Sequence, residues 1–368
     1  MKTVPSTPVP TTTVPPEQVR DRLWTALVDI DEYEATGGVL EALDAGLAPE
    51  VALLEVVAPM QRRVGNEWAA NRFSVAQEHA ATALNDRVIA AIAQHPASAV
   101  APTRGRVAVA CVDGEWHALP ARLLAEVLRL RGWRVDFLGA QVPTPHLIAH
   151  LHQQNPEAVA LSSSIPTRLP TAHAAITSCQ AVGIPVLAGG SAFGVDGRYA
   201  RLLGADSWAV DAPGAAQLLA DGVPRPDLNK SRQPIDDLPN LADQEYTMVA
   251  QSAPILVNHV LEGLQSRFPS VADYTDIQRQ HTIDDLGHIV DFLAVSLYTD
   301  DDTLFTGFIT WTADVLSARR VPPMSLRPTL DLLTEKLTDF PRATRLLAGA
   351  RAVLDAHLTE TLPRPGNE

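Results

Sequence analysis

The chain is poor in cysteine, in positive charge and in long apolar runs, and each shortage excludes something. Two cysteines in 368 residues, Cys111 in an expected buried strand and Cys179 in an expected helix, provide no disulfide framework and no metal-site spacing, so a reducing cytoplasm is the expected compartment. Twenty-nine basic against 43 acidic residues leave a net charge of −14, which argues against broad contact with a phosphate backbone. No run approaches the ~20 apolar residues of a membrane span, and the N-terminus lacks an apolar signal core. What remains, 46% apolar and 20% charged residues, is ordinary for a globular protein of two or three domains.

Residues 1–16 alternate Pro, Thr and Val without periodicity, the composition of an extended, disordered tail. From Glu17 the period becomes helical. Val19, Leu23, Leu27, Ile30 and Tyr33 share one side, Gly37-Gly38 read as a stop, and a second short helix follows near Val39 to Ala45. A third begins near Pro49 and carries Val51, Leu54, Val57 and Val64 toward Trp68. The fourth opens at Ser74, whose partner Gln77 completes a capping box. Residues 17–96 therefore read as a four-helix bundle.

Residues 104–222 read as repeated βα units. Val107–Val112, Arg134–Leu138, Ala158–Leu161, Val186–Ala188 and Ser207–Val210 are the expected strands of a parallel, flavodoxin-like, five-stranded sheet, whose ligands gather at the carboxyl edge. The first strand ends in Asp113-Gly114-Glu115-Trp116-His117, and Leu119, Leu123, Leu124, Val127 and Leu128 then recur at helical spacing. His117 thus stands at the loop–helix junction, where a histidine serves as a metal ligand or, as a commoner use, as a structural or solvated group. Ser162, Ser163 and Ser164 fall in a later βα loop, either as ligand hydroxyls or as turn chemistry. Gly189-Gly190 allow close backbone approach, and Val142 lies in the loop after the second strand.

These motifs resemble, in order, those of cobalamin-binding domains: Asp-x-His-x-x-Gly, a Ser-x-Leu motif and Gly-Gly. Here Glu115 replaces the aspartate and Pro120 the glycine. The resemblance implies that His117 holds cobalt as lower axial ligand, that Glu115 orients it, and that Ser162 to Ser164 and Gly189-Gly190 enclose the nucleotide tail, with Trp116 and Val142 beside the corrin. Upstream, Trp68 followed nine residues later by Glu78-His79 is similar to the pattern of light-responsive MerR-type cobalamin repressors, in which such residues cover the adenosyl group of adenosylcobalamin. Taken without that context, they are a core tryptophan and a solvated capping pair. Those repressors carry a histidine directly after the tryptophan, where this chain has Ala69. Only the Pro/Thr tail precedes the bundle, so direct operator binding is not expected.

After a proline-rich linker at 223–241, residues 242–362 are helical: Val249 to Gln265, Thr275 to Tyr298, Thr303 to Arg319, Leu326 to Leu337 and Pro341 to Leu358. Five helices suggest a globin-like domain. Arg267, Tyr274, His281, His288 and Trp311 supply the aromatic and polar groups that a tetrapyrrole pocket uses, although helical domains bury aromatics in any case. The arrangement resembles that of the photocobilins, photoreceptors that pair cobalamin with a bilin such as biliverdin. Since no cysteine follows Cys179, a bilin in that domain would be held noncovalently. The expectation is a light sensor and not an enzyme, with chromophores and a downstream protein effector as partners, a homo-oligomer left open, and neither nucleic acid nor membrane in direct contact. The alternatives are a corrinoid methyltransferase carrier subunit and a non-photic cobalamin or haem sensor, haem through His281 or His288.

Overall fold

The computed structural model describes residues 14–226, 238–268 and 274–361. The expected tail and residues 227–237 of the expected linker lie outside them. Helices α1 (Pro16–Asp29) and α2 (Glu32–Asp44) are followed by α3, which runs from Pro49–Val51 through a π-helical stretch, Ala52–Val57, into Ala58–Ala69. Helix α4 (Val75–Gln94) begins with the Ser74–Gln77 capping box, both of whose bonds form.

Two details of α1 and α2 correct the periodic reading. Helix α1 stops at Asp29 because Ile30 adopts a left-handed conformation and Asp31 caps α2 by accepting from Glu34 N. Ile30 and Tyr33 are therefore exposed, Tyr33 to 92%. Gly37-Gly38 do not end a helix but lie inside α2, where a Cβ on Gly38 would come within 2.8 Å of Arg22 Nε. This glycine serves close approach. In α3 the π-helical turn inserts an extra residue and rotates the apolar face, so Leu53 and Val56 are buried where Val51 and Leu54 were expected.

The sheet has the order β2-β1-β3-β4-β5 and is parallel throughout. Its strands are β1 (Arg106–Cys111), β2 (Arg134–Gly139), β3 (Ala158–Ser162), β4 (Val186–Gly189) and β5 (Ser207–Ala209). The crossing helices are α5 (Leu119–Leu130), α6 (Thr144–Gln154), α7 (Leu169–Ala181), α8 (Arg198–Leu202) and α9 (Ala212–Asp221). Alternation along β1 divides the interior: Val107, Val109 and Cys111 join a core with α1–α5 and α9, whereas Ala108, Ala110 and Val112 join one with α6, α7 and α8. Both faces are covered, which is why the strands are apolar on both sides.

Helices α10 (Glu245–Gln251), α11 (Ala253–Arg267), α12 (Asp276–Thr299), α13 (Asp302–Ala318), α14 (Leu326–Lys336) and α15 (Pro341–Thr361) enclose a core of their own. The expected first helix is divided at Ser252, ahead of Pro254, whose missing N–H suits a helix's first turn. Ahead of α10, Leu238 and Leu241 are buried in the sheet's second core together with Val295 and Tyr298 of α12. The helical unit is also fastened by polar bonds: His173 Nδ1 to Tyr298 Oη at 2.8 Å, and Tyr199 Oη donating to Asp301 Oδ2 at 2.8 Å. No helix among the described residues is long and apolar enough to cross a membrane.

Candidate functional site

The turn after β1 is organised by a buried carboxylate. Glu115 is 1% exposed, and its Oε1 accepts from His117 Nδ1 at 2.6 Å and from His117 N at 3.0 Å. Its Oε2 accepts from Ser163 Oγ at 3.2 Å, Ser164 N at 2.7 Å and Ile165 N at 3.2 Å. A buried charge requires such a set of donors. Burial pushes the carboxyl upward, but the bonds from the His117 ring and from the His117 and Ser164 amides outweigh it and hold the carboxyl at about 2.

The consequence falls on His117. With Nδ1 donating to Glu115, the neutral imidazole carries its lone pair on Nε2, and the ring is partly exposed at the loop–helix junction. A histidine whose far nitrogen is held by a carboxylate is the usual form of a metal-ligating imidazole. Pro120 stands in the first turn of α5, and Gln141 N donates to Glu115 O at 2.9 Å, joining the β2 loop that carries Val142 to the same turn. Val142 itself is partly buried against the sheet's second core.

Two of the three serines are already engaged. Ser163 and Ser164 serve Glu115, Ser164 O also accepts from Ser191 Oγ at 2.8 Å, and Ser162 is buried at the end of β3, paired with Cys111 and Gly189. Gly190 has φ +97°, and a Cβ there would lie 2.2 Å from Ser163 O. The glycine therefore supports the loop that feeds Glu115, and Gly189 beside it has ordinary space.

Across the cleft, α4 presents Glu78 and His79. His79 Nδ1 lies 2.9 Å from Val75 O and 2.7 Å from Glu78 Oε2. Trp116, 55% exposed, stands between the two imidazoles, its ring 6.1 Å from that of His79 and 5.1 Å from that of His117. Trp68 packs against the C-terminal helices. It lies 6.3 Å from Trp311 of α13 and beneath the Arg319 guanidinium at 5.0 Å, while Asn71 Nδ2 donates to Ala318 O.

Of the residues expected in a second pocket, Trp311 continues from Trp68 to Phe308, which stacks on Phe292 at 3.8 Å. His281 and His288 lie on α12, both exposed. Between and beyond them, Asp285 and Asp291 reach solvent, yet surrounding protein raises both carboxyls, against the opposing pull of His288. Arg267 is not drawn toward Trp311: its guanidinium engages Glu335 of α14 at 2.8 and 2.9 Å. Tyr274 is exposed just ahead of the cap of α12.

Arg319 and Asn71 had no signal in the sequence, since each acts on a partner in another unit. Thr82, which donates to Glu78 Oε1 at 2.9 Å, was legible as the residue one helical turn on. A cavity of about 310 Å³ lined by Leu53, Ile92, Glu126 and Trp133 lies at the amino edge of the sheet, and none of the expected site residues borders it. Burial pushes both cysteine thiols up to about 12, so neither is a thiolate donor at neutral pH.

Residues 105–218 match the B12 binding domain, and residues 19–93 match a second model of the same description. Two similar relatives come from Myxococcus xanthus. The HTH-type transcriptional repressor CarA is 31% identical over 40% of this chain and 48% of its own length, and the HTH-type transcriptional repressor CarH is 32% identical over 42% and 52%. The Trimethylamine corrinoid protein of Methanosarcina barkeri is 23% identical over 42% of this chain and 71% of its own. The chain spans about half the length of the two repressors. With a buried carboxylate beneath an outward imidazole, and both segments matched, the chain carries B12-binding domains whose cofactor is a cobalamin.

Proposed function

We propose that the chain is a light sensor that binds adenosylcobalamin between α4 and the carboxyl edge of the sheet. The observation that carries this reading is the Glu115–His117 pair, which engages Nδ1 and leaves Nε2 to a metal, beside the Trp116 ring that also neighbours His79. The residues fit a corrinoid: a pinned nitrogen donor in His117 on the sheet side, with Glu78 and His79 on the helical side. Cobalamin, when bound with its adenosyl group, supplies a weak cobalt–carbon bond that light breaks. His117 would hold the cobalt through Nε2, and Glu115 would fix the tautomer that offers it. Trp68, seated on Trp311 and Arg319, links the α3 side of the cleft to the C-terminal helices, so a change in α3 is carried into them.

In the same reading α12 and α13 hold a noncovalent bilin such as biliverdin, supported by the run of rings from Trp311 through Phe308 to Phe292 and by the absence of cysteine beyond Cys179. The output is a changed contact with a protein effector or a second copy of the chain, without catalysis. The test is to purify the chain with both pigments offered and to record spectra and assembly size before and after green and red light. A light-induced change in both is expected; unaltered spectra and size would overturn the proposal.

The similarity to the Trimethylamine corrinoid protein favours one other reading, a methyl carrier. It predicts methyl transfer from methyl-loaded protein with no light-dependent change in assembly.

A further inference from the structure

At the amino edge of the sheet, away from the cleft, the bundle and the sheet enclose the cavity of about 310 Å³. Leu53 of the π-helical stretch and Ile92 and Ala93 of α4 form its bundle side. Glu126 and Leu130 of α5, with Trp133 ahead of β2, form its sheet side, and the connection between the two units, residues 98–102, supplies part of the rim. An accidental gap in such a seam would be apolar. This one is bordered by two buried polar side chains without a full set of partners. Glu126 is 4% exposed, and both of its charged contacts fall on one oxygen: Oε1 accepts from Arg129 Nη1 at 2.5 Å and pairs with Arg122 Nε at 3.0 Å, while no described residue donates to Oε2. Trp133 is 5% exposed, and its Nε1–H has no acceptor among the described residues. Each such group costs free energy on folding unless something takes up its hydrogen bond.

We infer that this cavity is a second binding site, for a small uncharged molecule that carries an amide or phenol group. Such a group gives an N–H or O–H to Glu126 Oε2 and takes the Trp133 Nε1–H on its oxygen, while its apolar body meets Leu53, Ile92 and Leu130. Charge selects against ions. Arg122 and Arg129 already answer the carboxylate, so a cation gains nothing there, and an anion would face Oε2. The volume is at the lower end of the range for small-molecule sites. Position gives the site a consequence. Its walls are the far ends of the two helices that border the cleft: α4 carries His79 near its start, ~20 Å along the axis from Ile92, and α5 begins just after His117. What fills the cavity sets how these ends rest on each other, so the occupant acts as an effector of the cleft, a step that rests on the cobalamin reading above.

The experiment titrates the full chain with benzamide and with acetophenone, which has the same shape and carbonyl but no N–H. Ligand-observed NMR gives both affinities, and the indole N–H resonance of Trp133, identified by its loss in Trp133→Phe, reports the contact directly. Benzamide should bind more tightly by roughly tenfold or more, the worth of a hydrogen bond to a carboxylate, and should move that resonance. In Glu126→Gln the carbonyl answers the guanidiniums and the NH₂ turns into the cavity, so the preference for benzamide should vanish. Ala93→Leu, at a partly exposed helical position that tolerates it, should fill the space and abolish binding of both. Equal affinities for the two probes in the wild type, no binding of either, or Ala93→Leu binding like the wild type would overturn the site. Saturating benzamide should also shift aquocobalamin affinity by roughly fivefold or more. An unchanged affinity removes the effector role and leaves the site standing. A chain that takes up no aquocobalamin overturns the cobalamin reading, while the benzamide titration is read without it.

Discussion

Replacing Glu115 by glutamine removes one negative charge and leaves the side chain's shape intact. In the wild type the carboxylate accepts five hydrogen bonds, three on Oε2 and two on Oε1. A glutamine can keep its carbonyl toward Ser163, Ser164 and Ile165, which turns its NH₂ toward His117. The imidazole can answer by moving its proton from Nδ1 to Nε2 and accepting at Nδ1. The main-chain N–H of His117 has no such freedom and is left facing a donor. An unsatisfied buried N–H costs about 1–3 kcal/mol, and each kcal/mol lowers a melting temperature by roughly 2–4 °C at 150–250 residues. The greater effect is on ligation, because a proton on Nε2 removes the lone pair offered to cobalt, and loss of such a supporting carboxylate costs roughly 10–100-fold in metal affinity. The assay is thermal melting of the unliganded Glu115→Gln chain, followed by titration with aquocobalamin at the corrin bands. The pH dependence supplies an independent check. A carboxyl held at about 2 against an ordinary 4.5 contributes stability that is complete above 4.5 and is lost as the pH falls toward 2, so the variant's profile should be flatter over that window. A variant that melts, binds and titrates like the wild type would refute the reasoning.

Gly190→Ala should be severely destabilising, since its Cβ meets Ser163 O at 2.2 Å in a left-handed conformation; Gly46→Ala, at the same φ of +97° but with nothing within 4 Å, should suffer only the conformational cost of about 1–2 kcal/mol. Equal melting temperatures for the two would dispose of the close-approach argument. Arg342 donates to Asn240 O at 2.7 Å and Leu297 O at 2.5 Å while pairing with Asp243 and Asp300, so Arg342→Ala should cost about 2–3 kcal/mol and speed hydrogen exchange across residues 238–251; unaltered exchange there would count against it. Trp311→Ala removes the aromatic bridge between Trp68 and Phe308. It should weaken biliverdin binding, read as loss of a saturable absorption band, while leaving aquocobalamin uptake intact, and an undiminished bilin band would place the pigment elsewhere.

Local chemistry decided what could be read from the sequence. Strand boundaries were legible to within a residue or two because apolar runs end at turn residues, and the order of the βα units implied a parallel sheet. The Glu115-x-His117 pair, the Ser74–Gln77 box and the βα-loop positions of the serines and Gly189-Gly190 were legible too, since each depends on neighbours a few residues away. Where periodicity misled, a local conformation intervened: left-handed Ile30 ended α1, and the π-helical turn in α3 rotated Leu53 and Val56 inward. Tertiary structure alone decided which partners these residues meet. Trp68 turns to Trp311 and Arg319, Arg267 to Glu335, and Ser163 gives its hydroxyl to Glu115. Helical and strand periods record which face of an element is apolar, but not which neighbour covers it. That choice belongs to the packing of three units whose contacting residues lie up to 247 positions apart.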